Sequence, residues 1–380
     1  MKSFCAQFLI LTLLGLGGLG CKPSGGDDDV IRVGQFASLT GKEATFGISS
    51  DEGTTLAIEE INAAGGVLGK QLKLLTEDTQ SKSGEPATVV NKLIARDGVV
   101  AVLGEVASSR SLEAADICQD NKVPMISPSS TNPKVTEKGD YIFRVCFIDP
   151  FQGTVMANFA TKTLKARKLA VFTDVKSDYS KGLAKFFKER FVATGGTIVV
   201  ELDFNGGDKD FKAQLTAIKA AGPDAVFVPG YYTDAALICV QAKQLGLNVP
   251  FLGGDGWESE KLVEIGKDAV EGQYFSTHYH PDVGSEVSKR FVESYRKRWK
   301  GKMPDALAAC GYDSALVLAD AIKRAGSTDT QKIRDALAAT KDLQAVTGKI
   351  TINANRDATK SAVILQVKDG KYKYLETVEP

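Results

Sequence analysis

From Val30 onward, short apolar runs alternate with longer segments whose apolar residues recur at helical spacing. IRVGQFA reads as a strand and LTGKEATFG as a Gly-bearing loop. Residues 49–63 read as a helix, with Leu56, Ala57 and Ile61 at helical spacing and a Gly65-Gly66 stop. The alternation continues through the strand QLKLLTED, a helix over 85–96, the strand VVAVLG, a helix after Ser108-Ser109, and the strands VPMIS and YIFRVCF. It restarts after Asp149-Pro150, with helices over 151–164, 181–194, 211–221 and 234–245 between the strands KLAVFTD, TIVVELDF, DAVFVPG and VPFLGGD; QYFSTHY is a last strand. Such alternation predicts mostly parallel, doubly wound α/β sheets, here in two similar halves.

Beyond His280 the pattern changes. Helices over 284–299, 306–326 and 330–339 precede an alternating β segment with an Asp369-Gly370 hairpin signal. Helices and a hairpin added to two complete α/β units imply that the chain crosses back between lobes. We therefore expect lobe 1 to comprise 30–148 with 280–346, and lobe 2 to comprise 149–279 with 347–380. At 380 residues the chain exceeds the roughly 250–300 at which one core stops growing, which agrees with two lobes.

The stretch 101–133 centres the first half. Its two apolar runs each end in small hydroxyl residues, Ser108-Ser109 and then Ser127, Ser129, Ser130 and Thr131. A βαβ order delivers both loops to one sheet edge, so both should face one ligand. Helix-start amides and hydroxyls at Ser108 suit a carboxylate or phosphate, although plain helix capping explains the same residues. In the second half, Tyr231-Tyr232 and Asp255 follow strands. Asp255 offers a partner for a ligand ammonium, or a cap for a helix starting near Glu258; Trp257 offers an apolar wall, or simply core.

Charge narrows the classes. Lys plus Arg (47) equals Asp plus Glu (47), with no long like-charge run, and a nucleic-acid binder would show a basic face. Residues 1–20 read as an export signal, with Lys2 before an apolar run too short and Gly-broken to span a membrane. Gly15 to Gly20 matches G-x-G-x-x-G, but no strand precedes it and it receives no nucleotide role. Cys21 directly after Gly20 resembles the lipobox of bacterial lipoproteins, which implies acylation at Cys21 and a tether over 21–29. Gly18 stands where that motif has Leu, so soluble secretion stays open.

Cys118, Cys146, Cys239 and Cys310 remain in the exported body. A Cys118–Cys146 bridge and four buried thiols are both open readings. Catalysis has little support: there is no G-x-S-x-G, and the only two histidines, His278 and His280, read as an exposed pair near a hinge rather than a metal site. No cofactor or metal is expected.

GVVAVLGEVASSRSLEAADICQDNKVPMISPSSTNPKVT, AIEEINAAGGVLGKQLKLLTEDTQ, GYYTDAALICVQAKQLGL and FLGGDGWES resemble the periplasmic leucine/isoleucine/valine-binding proteins of bacterial ABC transporters. The resemblance spans roughly residues 31–375. It implies a type I periplasmic binding (Venus-flytrap) fold, two doubly wound parallel-sheet α/β lobes joined by three crossover segments. It further implies that Ser108, flanked by Val106 and Ala107, binds an amino-acid carboxylate. Thr131 would contact both ends of the zwitterion, the Ser129 carbonyl and Asp255 would receive the ammonium, and Tyr231, Tyr179 and Phe46 would form walls. Asp255 stands where the family has Glu, Phe46 where it has Tyr, and Gln80 and Ala107 where the type protein has a disulfide; Trp257 adds bulk nearby. The implied partners are a free neutral, aliphatic amino acid and an ABC permease, with membrane contact only through a lipid anchor. A sensory receptor of the same fold for an amino acid or amide is the rival reading.

Overall fold

The computed structural model describes residues 30–380. The expected export signal, its glycine motif, Cys21 and the tether lie outside the described residues. The chain runs β1 (Val30–Ala37), α1 (Ala44–Ala63), β2 (Gln71–Asp78), α2 (Glu85–Ala95), β3 (Val102–Leu103), α3 (Ser108–Asp120), β4 (Met125–Ser127), α4 (Lys134–Glu137) and β5 (Ile142–Arg144). These five strands form one sheet in the order β2-β1-β3-β4-β5, parallel throughout. Next come α5 (Asp149–Lys162), β6 (Lys168–Asp174), α6 (Asp178–Ala193), β7 (Thr197–Phe204), α7 (Lys212–Ala221), β8 (Ala225–Phe227), α8 (Tyr232–Gln244), β9 (Phe251–Gly253), α9 (Glu260–Gly266) and β10 (Tyr274–Thr277).

The last third supplies α10 (Glu286–Arg298), α11 (Ala306–Ala325), α12 (Thr330–Ala338), the small pair β11 (Leu343–Ala345) and β12 (Gly348–Ile350), and the hairpin β13 (Ala362–Lys368) and β14 (Lys371–Val378). The hairpin joins the second sheet, whose order is β14-β13-β10-β9-β8-β6-β7, with β13 antiparallel to β10 and β14 antiparallel to β13. Asp369 (φ 54°) and Gly370 (φ 67°) both take the left-handed region, as a two-residue hairpin turn requires. α11, α12 and β12 pack on the first sheet, with Ile322, Ile333, Ile350, Ile352 and Ala358 in one buried cluster with Ile31 and Val33. Ile350, Ile352 and Ala358, which follow the expected 346/347 boundary, thus pack with residues of the first sheet.

Local deviations have physical causes. α1 starts five residues before the expected 49, because Gly47 serves packing rather than a loop: a Cβ there would lie 2.0 Å from the Ser38 carbonyl oxygen. α1 and α11 approach equally closely, since a Cβ on Gly53 would meet Ala308 O at 1.8 Å and one on Gly311 would meet Ser50 O at 2.2 Å. The inner strands are two or three fully buried residues, shorter than the apolar runs that contain them. Such strands are covered by helices on both faces and read as continuous apolar segments. The four described cysteines are free and buried. No described helix is long and apolar enough to cross a membrane.

Candidate functional site

The loops after β3 and β4 are bound to each other by hydroxyls. Ser127 Oγ and Ser130 Oγ donate to Glu105 O at 2.7 and 2.8 Å, and Ser130 Oγ also meets Ser111 Oγ at 2.8 Å. Two members of the Ser-rich cluster are thus structural cement. Ser109 and Ser129 instead reach Asp178 and Asp255 of the second half. Ser108, the first residue of α3, accepts Asn132 N at 3.2 Å through its hydroxyl, which ties the helix start to the loop holding Thr131. Its amide lies in the first turn, where helical partners are lacking and the dipole is positive. Thr131 is fully buried, and its hydroxyl has no hydrogen-bond partner among the described residues.

Groups from the second sheet meet this edge. Asp255 opens a single 3₁₀ turn after β9 and is 5 % exposed. It does not cap α9, because Ser259 Oγ does so by accepting Lys261 N at 3.2 Å. Instead Asp255 Oδ1 accepts Gln152 Nε2 at 2.9 Å, while Oδ2 lies 3.2 Å from His278 Nε2 and 3.4 Å from Ser129 Oγ. Tyr179 Oη accepts Gly256 N at 3.1 Å, and its ring stacks on Tyr231 at 5.4 Å and 3°. Phe46 stands edge-on to Tyr231, also at 5.4 Å, and packs with Val106 against the second sheet's core. Trp257 belongs to that core: it is fully buried, with Nε1 donating to Val228 O at 2.9 Å.

The facing loops are in contact. Ser109 Oγ donates to Asp178 Oδ2 at 3.1 Å and accepts Asp178 N at 3.0 Å; Asn132 Nδ2 donates to Asp178 O at 2.7 Å, and Tyr232 Oη to Lys42 O at 2.9 Å. A cavity of about 160 Å³ between Ala107, Ser109, Arg110, Ser177 and Tyr231 lies at the mouth of this seam. Arg110 is ion-paired with Glu43 there.

Three residues of this constellation were not legible as site residues. His278, expected to be exposed, is buried with its ring 4.0 Å from that of Phe147, while His280 contacts Tyr372 O, so the two histidines serve different places. Its position at the end of β10 was the available signal. Gln152 and Asp149 belong to the first turn of α5, where the chain crosses to the second sheet. Asp149 is fully buried; its amide donates to Thr131 O at 2.9 Å. Burial, aided by the Asp255 charge, pushes its carboxyl up to about 8. Burial likewise lowers the His278 imidazole and raises the Tyr179 phenol.

Ser129, His278 and Asp255 are three residues of a hydrolytic triad in type only. The hydroxyl and the carboxylate both lie against Nε2, while Nδ1 has no hydrogen-bond partner among the described residues. A triad needs the acid on one ring nitrogen and the nucleophile on the other, and these three residues are not so arranged. What the geometry brings together is a buried carboxylate from the second sheet, hydroxyls and a helix start from the first, and stacked aromatic rings beside them.

A family model described as periplasmic binding protein matches residues 30–371. The leucine-, isoleucine-, valine-, threonine- and alanine-binding protein of Pseudomonas aeruginosa is 34 % identical over 313 residues, 82 % of this chain and 83 % of that one. The crystal structure of a leucine binding protein, LivK, from Thermotoga maritima superposes with a TM-score of 0.89 at 44 % identity, covering 92 % of this chain and 99 % of the other. The branched-chain amino acid transporter substrate binding protein LivJ from Streptococcus pneumoniae, solved with isoleucine, gives 0.88 at 36 % identity, covering 92 % and 100 %.

Proposed function

The chain belongs to the periplasmic binding protein family, and we propose that it is the extracytoplasmic receptor of an ABC transporter, capturing a neutral aliphatic amino acid between two lobes and delivering it to the permease. In this reading Ser108 and the α3 amides hold the α-carboxylate. The Thr131 hydroxyl bridges carboxylate and ammonium, and the Ser129 carbonyl and Asp255 receive the ammonium. Tyr231, Tyr179, Phe46, Val106 and Ala107 enclose the side chain, with Trp257 as support behind Asp255. The lobes are residues 30–148 with 280–358, and 149–279 with 359–380. The export signal and acylation at Cys21, with residues 22–29 as a tether, complete the picture.

The observation that carries the reading is the meeting of Ser129 and Asp255 from opposite sheets, 3.4 Å apart. A zwitterion set between those edges gains a charge-assisted bond at each end in a site closed to water. Binding is then coupled to closure, because neither edge alone satisfies both charges. The names of the relatives support leucine, isoleucine and valine first. Calorimetry with L-leucine, L-isoleucine, L-valine, L-alanine and L-threonine tests it: micromolar or tighter binding to at least one is expected, and silence across all five overturns it.

A further inference from the structure

We infer that His278 is a positioning residue of the ammonium site and that the site operates only while this imidazole is neutral; the inference rests on the reading of Asp255 as the ammonium acceptor. Asp255 is anchored on both oxygens, by Gln152 on Oδ1 and by His278 on Oδ2, with the Ser129 hydroxyl closing the set. His278 is itself clamped, with no exposed side-chain surface and its ring against Phe147. Nε2 carries the hydrogen, since a lone pair there would face the Asp255 carboxylate. Nδ1 is therefore the acceptor nitrogen, and it is buried without a hydrogen-bond partner.

A second proton would have to enter at Nδ1. No described group accepts it there, and an unsatisfied buried N–H is costly. The charged and titratable groups around the ring divide as follows. Asp255 favours the imidazolium, whereas burial and the Lys360 ammonium oppose it. The Cys146 thiol, beside Asp255 and Lys360, is pushed up to about 12 and stays neutral. Asp149, pushed up to about 8 by burial, and Glu258, raised by burial and the nearby Asp305 charge, both feel Asp255, and burial favours the neutral form of each. His280 is turned to Tyr372 and Asp282.

An imidazolium at Nε2 and a ligand ammonium would claim the same carboxylate. Parting of the two sheets removes Ser129 from Nε2 and leaves the carboxylate of Asp255 to the ring alone, so proton uptake favours the open, empty form. By linkage, affinity falls about tenfold per pH unit once the pH is below the His278 pKa of the empty protein.

The test is calorimetry with L-leucine from about pH 7 to about pH 5, on the wild type and on His278→Gln, whose amide N–H can replace Nε2–H without titrating. The expected result is a wild-type affinity that drops at least about tenfold over this range, and a variant whose affinity, at whatever level it starts, stays flat. A flat wild type, or a variant with the wild-type slope, overturns the inference. Asp255→Asn at neutral pH separates the two claims: unchanged affinity there strikes the reading of the ammonium site, and this inference with it. Should the variant not fold, NMR of the wild type decides, because the chain has only two histidines. One imidazole should titrate in the empty protein and cease to do so with saturating L-leucine; equal titration in both overturns the inference.

Discussion

Ser129 and Asp255, 126 residues apart in sequence, stand 3.4 Å apart where the edges of two sheets meet, and His278 lies within hydrogen-bond distance of both. The loop after β4 and the turn after β9 share no local sequence relation. Only the winding of both sheets, with the carboxyl ends of their strands facing the same seam, brings them together.

Asp255→Asn keeps the shape and its place beside Gln152 while deleting the charge. Loss of a buried charge-assisted partner should weaken L-leucine binding by roughly 1.5–3 kcal/mol. Ser108→Ala should cost less, about 0.5–1.5 kcal/mol, because the α3 amides remain. The two losses should add in the double variant, since they act on opposite ends of the ligand. Calorimetry of the three variants checks this; strong non-additivity would place both residues on one ligand group.

Gly311→Ala offers a test of the α1–α11 contact. In an ordinary helix interior this change stabilises by roughly 0.5–1 kcal/mol. Here the new Cβ would lie 2.2 Å from Ser50 O, so backbone must move and the variant should be destabilised by about 1–3 kcal/mol. Denaturant unfolding reads the sign directly, and a stabilised variant would show that the helices separate easily.

Asp149 should tie stability to pH in the direction opposite to an ion-paired acid. Its folded pKa of about 8 lies above the unfolded value near 3.9, so the folded state holds the extra proton between them. Its contribution is present at acid pH and is lost as pH rises through that window. Asp149→Asn removes the titration and keeps the shape. Its melting temperature relative to wild type should therefore increase from about pH 5 to about pH 8; a constant difference would mean that Asp149 is ionised in the folded protein throughout.

The four described thiols are buried and unpaired, with Cys118 and Cys239 held well above the ordinary thiol range by burial alone. Alkylation of the native protein should leave all four untouched, whereas alkylation in denaturant without reductant should label all four. Intact mass reads both numbers, and a deficit of two labels that reductant restores would establish a bridge.

Much of this fold is written in local pattern. The strand–helix alternation, the Asp369-Gly370 turn and the return of the last helices are visible because each depends on a period or on backbone conformation within a few residues. Gly47 misled because a glycine marks either a loop or a close backbone approach, and only the position of Ser38 decides between them. Likewise His278 read as exposed, one of a pair with His280 near a hinge. Its burial comes from Phe147, Ser129 and Asp255, none of them within twenty residues in the chain. Trp257 and Asp255 read equally well as site or as scaffold; the hydrogen bond to Val228 O puts the indole in the core, and Ser259 frees Asp255 from capping. Ser108, Ser129 and Thr131 were legible as a group, yet nothing local distinguishes them from Ser127 and Ser130, whose hydroxyls serve the neighbouring loop.

The sharpest measurement compares L-leucine with 4-methylpentanoate and 3-methylbutylamine, which keep its side chain but lack the ammonium and the carboxylate respectively. Calorimetry at neutral pH should show binding of the amino acid alone, because Asp255 and the α3 amides each require their own charge. Tight binding of 4-methylpentanoate would contradict the assignment of Asp255 as the ammonium acceptor, and with it the claim that the two sheets close on a zwitterion.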